Sequence, residues 1–152
     1  MYTIQRTSSD DTHFQELVAL LDADLAKRDG ADNAFYTQFN GIVQLKHCVV
    51  FYFDGSAVGC GAFKRFNEES VEIKRMYVLP SHRGKGIASK VLLELENWAK
   101  ELKFSYCVLE TGLRQPEAIS LYKKNGFQIT ENYPPYVHMK NSVCFKKELL
   151  LF

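Results

Sequence analysis

Residues 71–101, VEIKRMYVLPSHRGKGIASKVLLELENWAKE, join a strand pattern to a helix pattern through a turn that contains two glycines. From Ile87 onward, apolar residues recur at helical spacing, which predicts a long amphipathic helix directly after Gly86. In such a turn, backbone N–H groups and the positive end of the helix point at one anion, and glycine lets that anion approach the chain. Taken alone, the turn indicates either an anion site or a plain helix entry with Arg83 and Lys85 as surface charges.

Two nucleotide-binding motifs fit this turn poorly. A P-loop requires G-x-x-x-x-G-K-[ST], whereas Gly86 is followed by Ile87 and Ala88. A dinucleotide fingerprint requires a third glycine where Ser89 stands and begins directly after a strand, whereas LPSH precedes this turn. In a dinucleotide-binding fold, an acidic residue at the end of the next strand binds the ribose, and Glu110 stands at such a place. The strands before the turn are predicted to be antiparallel, however, whereas that fold is doubly wound.

The rest of the chain predicts alternating strands and helices. YTIQR reads as a first strand, an amphipathic helix follows and ends before Gly30, and GADNAFYTQFNG indicates a short second helix. Asp54-Gly55 joins two β-rich runs as a hairpin, NEES turns into a third strand, and FSYCVLE is a buried strand after the long helix. QPEAISLYKKNG predicts a last helix with Pro116 near its start and Gly126 as its C-cap, before the strands FQIT and SVCFKKEL.

The predicted order is therefore β-α-(α)-β-β-β-α-β-α-β-β. This order describes one α+β domain over residues 1–152, with a mixed, mainly antiparallel sheet that contains one parallel crossover. A formal net charge of +1 gives no bulk attraction to nucleic acid or to acidic membranes. The sequence shows neither a leader nor an apolar run as long as a membrane span, so a cytoplasmic protein is expected.

The chain has four cysteines, and no pair of them has the spacing of metal ligands: Cys48, Cys60, Cys107 and Cys144. Each stands among apolar or aromatic neighbours, which favours buried free thiols in a reducing compartment. Neither a disulfide framework nor a bound metal is expected.

Residues 71–101 resemble the central motif of the GNAT superfamily of acetyl-CoA-dependent N-acetyltransferases, [QR]-x-x-G-x-[GA], which Arg83, Gly86 and Ala88 satisfy. Downstream, PEAISLYKKNGF resembles the second motif of that superfamily, in which a helix carrying Ala and Leu-Tyr runs into Gly-Phe. Together the two motifs cover about residues 71–129. The resemblance implies a GNAT-like splayed central sheet flanked by about four helices, with acetyl-CoA as co-substrate.

The resemblance also implies which residues hold the coenzyme. The pyrophosphate is expected on the backbone N–H groups of the turn and the helix start, namely Arg83, Gly84, Lys85, Gly86, Ile87 and Ala88. The pantetheine arm is expected to pair with the backbone of Met76, Tyr77 and Val78, and the N–H of Val78 or a neighbour to polarise the thioester carbonyl. Gln115 stands near the place where many members carry an asparagine that bonds this arm.

By the same resemblance, Tyr122 is the tyrosine of the Leu-Tyr pair and is expected to donate a proton or a hydrogen bond to the departing thiolate. Alternatively, Tyr122 has no catalytic role and is a half-buried aromatic residue that packs the last helix. Glu72 occupies the place of a glutamate that takes the proton of the amine in some members. It is equally consistent with a carboxylate that pairs with Lys74 or with a cross-strand lysine.

In this superfamily the acceptor usually meets the first two helices and the late hairpin. The candidates there are Arg28, Tyr36, Phe39, Tyr133 and Tyr136, although aromatic residues in such places more often pack than bind. A small-molecule or peptide amine is the expected acceptor, with a small amine, an amino acid and a peptide N-terminus all open. No nucleic-acid or membrane partner is expected, and self-association as a homodimer stays open.

The resemblance implies an acetyltransferase that works by direct attack of the amine in a ternary complex, and no cysteine is placed for an acyl-enzyme route. Two alternatives stay open. One is a coenzyme-binding sensor or regulatory module without turnover, and the other is a transferase for a different short acyl-CoA, such as propionyl- or succinyl-CoA.

Overall fold

The computed structural model describes residues 1–32 and 45–149. The strands are β1 Tyr2–Thr7, β2 His47–Phe53, β3 Ser56–Arg65, β4 Ser70–Val78, β5 Tyr106–Gly112, β6 Gln128–Thr130 and β7 Ser142–Glu148. The α-helices in these ranges are α1 Thr12–Asp29, α2 Ile87–Glu101 and α3 Pro116–Lys124. The predicted second helix falls mainly in residues 33–44, outside the described residues.

The strands form one sheet in the order β1-β2-β3-β4-β5-β7-β6. Neighbouring strands are antiparallel except β4 and β5, which are parallel because α2 returns the chain between them. The predicted α+β class with a mixed, mainly antiparallel sheet is therefore confirmed. The predicted hairpin at Asp54-Gly55 is confirmed as well, because Phe53 pairs with Ser56 across it.

The parallel pair is short. Only Ser70–Glu72 on β4 pairs with Tyr106–Val108 on β5, although both strands continue beyond this point. From residue 73 onward, β4 has β3 on one side and no ladder to β5 on the other. This opening is the splay that the resemblance implies.

A bulge in β4 lies directly beyond the point where the two strands separate. Its register against β3 shifts between Cys60 and Ala62, and Arg75 has a φ of 61°. Gly61 lies opposite the bulge, where an added Cβ would come within 2.9 Å of both Val91 Cγ1 and Leu95 Cδ1 of α2. A bulge bends its strand and increases the local twist, which turns the end of β4 away from β5.

Each face of the sheet is covered by helices. On one face, apolar residues of α2 and Tyr122 of α3 pack on Val71, Ile73 and Leu109. On the other face, Phe14, Leu17, Val18 and Leu21 of α1 pack on β2 and β3. Within residues 1–32 and 45–149, no helix has the length and the apolar character that a membrane crossing requires.

Candidate active site

Two cavities meet at the splay between β4 and β5. The larger, about 410 Å³, is lined by the end of β4, the glycine turn and the facing sides of α2 and α3. The smaller, about 110 Å³, is lined by residues 72–76 of β4, the end of β5 and one side of α1. Both are lined by Leu21, Met76, Gln115, Ala118 and Tyr122. Molecules held in the two cavities would therefore face each other across these side chains.

The glycine turn and the first residues of α2 line the larger cavity. Gly84 and Gly86 both have a φ of 79°, a conformation that favours glycine, and no atom lies within 4 Å of an added Cβ at either residue. Gly86 is the N-cap of α2 and supplies no side-chain cap, whereas the Asp11 carboxylate caps α1 by accepting from the Phe14 N–H at 3.0 Å. The first N–H groups of α2, which have no acceptor within the helix, are thus left for an external anion.

The Arg83 side chain connects this turn to β4. Its Nε donates to the Val78 carbonyl at 2.9 Å, and its guanidinium lies 5.5 Å from the centre of the Tyr77 ring. Lys85 points elsewhere, because its Nζ lies 5.6 Å from the centre of the Phe53 ring in the β2–β3 hairpin. Of the predicted coenzyme residues, all except Lys85 line the larger cavity.

At the end of β4, one edge of the backbone pairs with β3, and the other edge faces the opening between β4 and β5. The Leu79 N–H donates to the Val58 carbonyl at 2.8 Å, so Leu79 faces β3. Because successive strand residues point their backbone groups in opposite directions, Val78 faces the opening, as its bond to Arg83 also indicates. The Val78 N–H therefore lies at the edge where the pantetheine arm is expected.

Tyr122 lies between the two cavities. Its side chain is 6% exposed, and its ring packs 5.8 Å from the ring centres of both Phe127 and Phe145. Burial raises the pKa of Tyr122 above its ordinary value, and the charge of Glu110 raises it further. The hydroxyl is consequently a hydrogen-bond donor at neutral pH.

Glu72 is buried and has several partners. Its Oε2 accepts a hydrogen bond from the Tyr133 hydroxyl at 2.8 Å, and its Oε1 lies 3.7 Å from Lys74 Nζ and 3.9 Å from Lys64 Nζ. Burial, together with the charge of Glu72, raises the pKa of Tyr133. The pairing with Lys74 and with a cross-strand lysine that the sequence suggested is thus present, but the carboxylate also lines the smaller cavity. Its role as a base stays a prediction.

Sequence reasoning missed Glu110 and Lys74 as site residues. Both line the smaller cavity, and Glu72 lies in register with Val108, two residues before Glu110. Paired residues of neighbouring strands share a face, as do residues two apart on one strand, so these charged side chains share one face. No pattern of neighbouring residues predicts this register between β4 and β5, although the sequence does predict that Glu110 ends a strand.

The predicted acceptor residues separate into three groups. Arg28 lines neither cavity, because its guanidinium pairs with Asp24 at 3.1 Å and with Glu117 at the start of α3. Tyr136 lines the smaller cavity, and Tyr133 reaches the site through its bond to Glu72. The other two, Tyr36 and Phe39, lie outside the described residues.

The four cysteine thiols are buried and free. Burial raises their pKa values to about 12 for Cys48, Cys60 and Cys107 and to about 11 for Cys144. Since only the thiolate attacks, we expect the native protein to react with Ellman's reagent at pH 8 at least about a hundredfold more slowly than the chain unfolded in guanidinium chloride. Rapid reaction of one equivalent in the native state would contradict this and would reopen an acyl-enzyme route.

The chain belongs to the acetyltransferase (GNAT) family, because the model of that family matches residues 14–127. It is 40% identical over 96 residues to the IAA acetyltransferase of Azospirillum brasilense, a match that covers 62% of this chain and 63% of that protein. Across this protein and two further curated relatives, the match spans about half to just under two thirds of the relative's length.

Solved structures share the fold over nearly the whole chain. A Klebsiella pneumoniae protein, provisionally named an acyl-CoA N-acyltransferase, is 34% identical, with 99% of both chains covered and a TM-score of 0.83. The PaiA N-acetyltransferase of Thermoplasma acidophilum, solved in complex with coenzyme A, is 19% identical and has a TM-score of 0.73. That match covers 97% of this chain and 99% of the other, and it shows the fold alone.

Proposed function

We propose that the protein transfers the acetyl group of acetyl-CoA to a primary amine by direct attack in a ternary complex. The observation that carries this proposal is the meeting of two cavities at Met76, Gln115 and Tyr122. A thioester held in the larger cavity and an amine held in the smaller one would meet beside one tyrosine. Membership of the acetyltransferase family supports the reaction class.

The residues of the larger cavity fit coenzyme A. The open space at Gly84 and Gly86 and the uncapped start of α2 suit a pyrophosphate, to which Arg83 adds positive charge. The free edge of β4 at Met76 and Val78 suits the amides of the pantetheine arm, and the Gln115 side chain lies at the same opening. Bound acetyl-CoA would supply an activated acetyl thioester. The coenzyme A complex of the Thermoplasma protein, which has the same fold, supports this assignment.

In the proposed reaction, the amine nitrogen forms a bond to the acetyl carbon, and the bond between that carbon and sulfur breaks. In this proposal the Val78 N–H polarises the carbonyl, and the Tyr122 hydroxyl donates to the sulfur that departs. One proton leaves the nitrogen, and Glu72 takes it directly or through water. A lysine-like amine, with a pKa of about 10.4, needs this help more than an α-amine with a pKa near 8.

Direct attack is favoured over a covalent acyl-enzyme. All four cysteines lie within the described residues, and none of them lines either cavity. Their raised pKa values leave little thiolate at neutral pH. An amine that reaches the thioester itself needs no such nucleophile.

Binding is tested by thermal shift with acetyl-CoA, coenzyme A, NAD and ATP. At a concentration of 100 Kd, a ligand that binds only the native state stabilises it by about 2.7 kcal/mol. For a domain of this size, that corresponds to a rise in Tm of roughly 5–10 °C. We expect this rise with both CoA species and not with NAD or ATP. Absence of a shift with either CoA species would refute the assignment of the larger cavity.

Turnover is tested by release of free thiol from acetyl-CoA across a panel of amines, with products identified by mass spectrometry. Transfer to at least one amine is expected. Binding of coenzyme A without turnover of any amine would instead favour a sensor or regulatory module. Parallel reactions with propionyl- and succinyl-CoA define the acyl group, because the depth of the pocket limits the length of the chain.

A further inference from the structure

We propose that Tyr133 is a positioning residue for Glu72, whose carboxylate its hydroxyl holds in the orientation and in the ionised form that accept the proton of the amine. Tyr133 acts through Glu72 and not by contact with the acceptor. This inference rests on the proposed acetyl transfer and names a residue that sets the pH range in which the transfer runs.

The hydrogen bond between the two side chains is the first observation. The Tyr133 hydroxyl donates to Glu72 Oε2 at 2.8 Å, and Glu72 is 5% exposed. The ammonium groups of Lys64 and Lys74 approach the other oxygen, Oε1, at 3.9 and 3.7 Å, distances longer than a hydrogen bond. The phenol therefore gives the carboxylate its direction, because a hydrogen bond is directional and these longer ion pairs are not.

Aromatic contacts fix the phenol that makes this bond. The ring centre of Tyr133 lies 4.8 Å from that of Phe66, in the turn between β3 and β4, and 5.8 Å from that of Tyr136. Both pairs are edge-to-face, an arrangement that aromatic rings prefer. The ring is thus held from two sides, so packing as well as the hydrogen bond directs the hydroxyl at Glu72.

The loop that carries Tyr133, residues 131–141, is itself fixed by hydrogen bonds. The Asn132 side-chain nitrogen lies within 3.3 Å of three carbonyl oxygens, those of Tyr136, Met139 and Ser142. The Tyr136 N–H also donates to the Tyr133 carbonyl at 2.7 Å. A catalytic group must be held to within about 0.5 Å by supporting residues whose own positions are fixed. Tyr133, on this closed loop, is such a support.

Tyr133 stays a hydrogen-bond donor at neutral pH. Burial, and then the charge of Glu72, raise the pKa of Tyr133 above its ordinary value. A donor that bonds the charged form of a carboxyl group favours that form. Loss of the hydroxyl is therefore expected to make protonation of Glu72 easier.

The other charged and titratable side chains around Glu72 in the described chain belong to β3, β4, β5, α3 and the 131–141 loop, whereas α1 contributes apolar side chains. They approach the carboxylate or line the cavity with it, and they are Lys64, Lys74, Arg75, Glu110, Tyr122 and Tyr136. Replacement of Tyr133 by phenylalanine keeps all of them, keeps the ring and removes one hydroxyl. A changed pH dependence in that variant therefore reports the lost hydrogen bond.

The test compares kcat/KM of the wild type and of Tyr133→Phe from pH 5 to pH 8. The ionisation of the amine is common to both proteins and cancels in the ratio of the two values. Because the carboxyl group of the variant protonates at higher pH, we expect the ratio to approach about tenfold at the acid end and to fall toward one as the pH rises. A purely structural defect would lower kcat/KM by the same factor at every pH, and such a constant ratio would overturn the proposal.

Two further variants serve as controls. Tyr106→Phe removes a phenol of β5 that lines neither cavity, and its ratio should stay near one at every pH. In a Glu72→Gln background, where no carboxyl group remains at this position, Tyr133→Phe should give a ratio that does not depend on pH. A pH-dependent ratio that persists in that background would mean that Tyr133 acts on another group, contrary to the proposal.

A second measurement does not depend on turnover. In protein labelled with ¹³C at the glutamate carboxyl groups, the NMR signal that is lost in Glu72→Gln belongs to Glu72. We expect its titration to move to higher pH in Tyr133→Phe and to stay in place in Tyr106→Phe. An unmoved titration in Tyr133→Phe would overturn the proposal even if no amine is acetylated. Failure of the proposed acetyl transfer is read separately, from the thermal shift with coenzyme A and from thiol release by the wild type.

Discussion

Replacement of Tyr122 by phenylalanine is expected to lower kcat by roughly 10²-fold or more, the range of a lost general acid. The hydroxyl lies between the two cavities, and its raised pKa keeps it protonated. A thiol has a pKa of about 8.5 and a phenol of about 10, so complete transfer of the proton is uphill and hydrogen bonding to the sulfur supplies part of the effect. Thiol release at saturating acetyl-CoA measures the change.

The pKa of Tyr122 also fixes the pH dependence of this effect. Because burial raises that pKa above its ordinary value of about 10, the hydroxyl stays protonated between pH 6 and 9. The ratio of the two kcat values should therefore be constant over this range. Tyr106→Phe is a matched control, since Tyr106 lies on β5 but lines neither cavity. A Tyr122→Phe protein that retains wild-type kcat would exclude the hydroxyl from the reaction.

Replacement of Gly86 by alanine is expected to weaken coenzyme A binding by at least about tenfold, or about 1.4 kcal/mol. The residue has a φ of 79° at the start of α2, where a methyl group would both strain the backbone and enter the space assigned to the pyrophosphate. Calorimetric titration of the folded variant with coenzyme A measures the loss.

The variant Gly55→Ala separates the effect of backbone strain from the effect of a methyl group in the coenzyme site. Gly55 has a φ of 85° at the tip of the β2–β3 hairpin, with nothing within 4 Å of an added Cβ, and it does not line the larger cavity. Both variants should lose roughly 1–2 kcal/mol of unfolding free energy, the usual cost of a left-handed conformation for a residue with a Cβ. Only Gly86→Ala should lose coenzyme affinity. Similar affinities in the two variants would mean that the turn is no more than a helix entry.

The lining of the larger cavity was largely predictable from local sequence. A glycine turn before an amphipathic helix is a contiguous pattern, and the N–H groups that it exposes belong to the same residues. Lys85 illustrates the limit of this argument, because its backbone lies in the turn while its side chain packs on Phe53 of another strand. Its position was predictable, and its direction was not.

The lining of the smaller cavity could not be predicted in the same way. Glu72 was identified by its place in a motif, but its contact with Tyr133 joins residues 61 positions apart. Lys74 and Glu110 are ordinary charged residues of two strands, and they line one cavity only because those strands separate after three paired residues. Arg28 has a favourable position on α1, yet its ion pair with Glu117 directs it to α3.

The sequence by itself determined the order of the described elements, the glycine turn before the long helix and the place of Tyr122 on the last helix, because each rests on a pattern of neighbouring residues. The tertiary structure decided where β4 leaves β5, and with it which charged side chains meet in the smaller cavity. That outcome depends on strand register and on the bulge at Arg75, packed against α2 through Gly61. Register is set by contacts between distant segments, so it becomes visible only when the sheet is assembled.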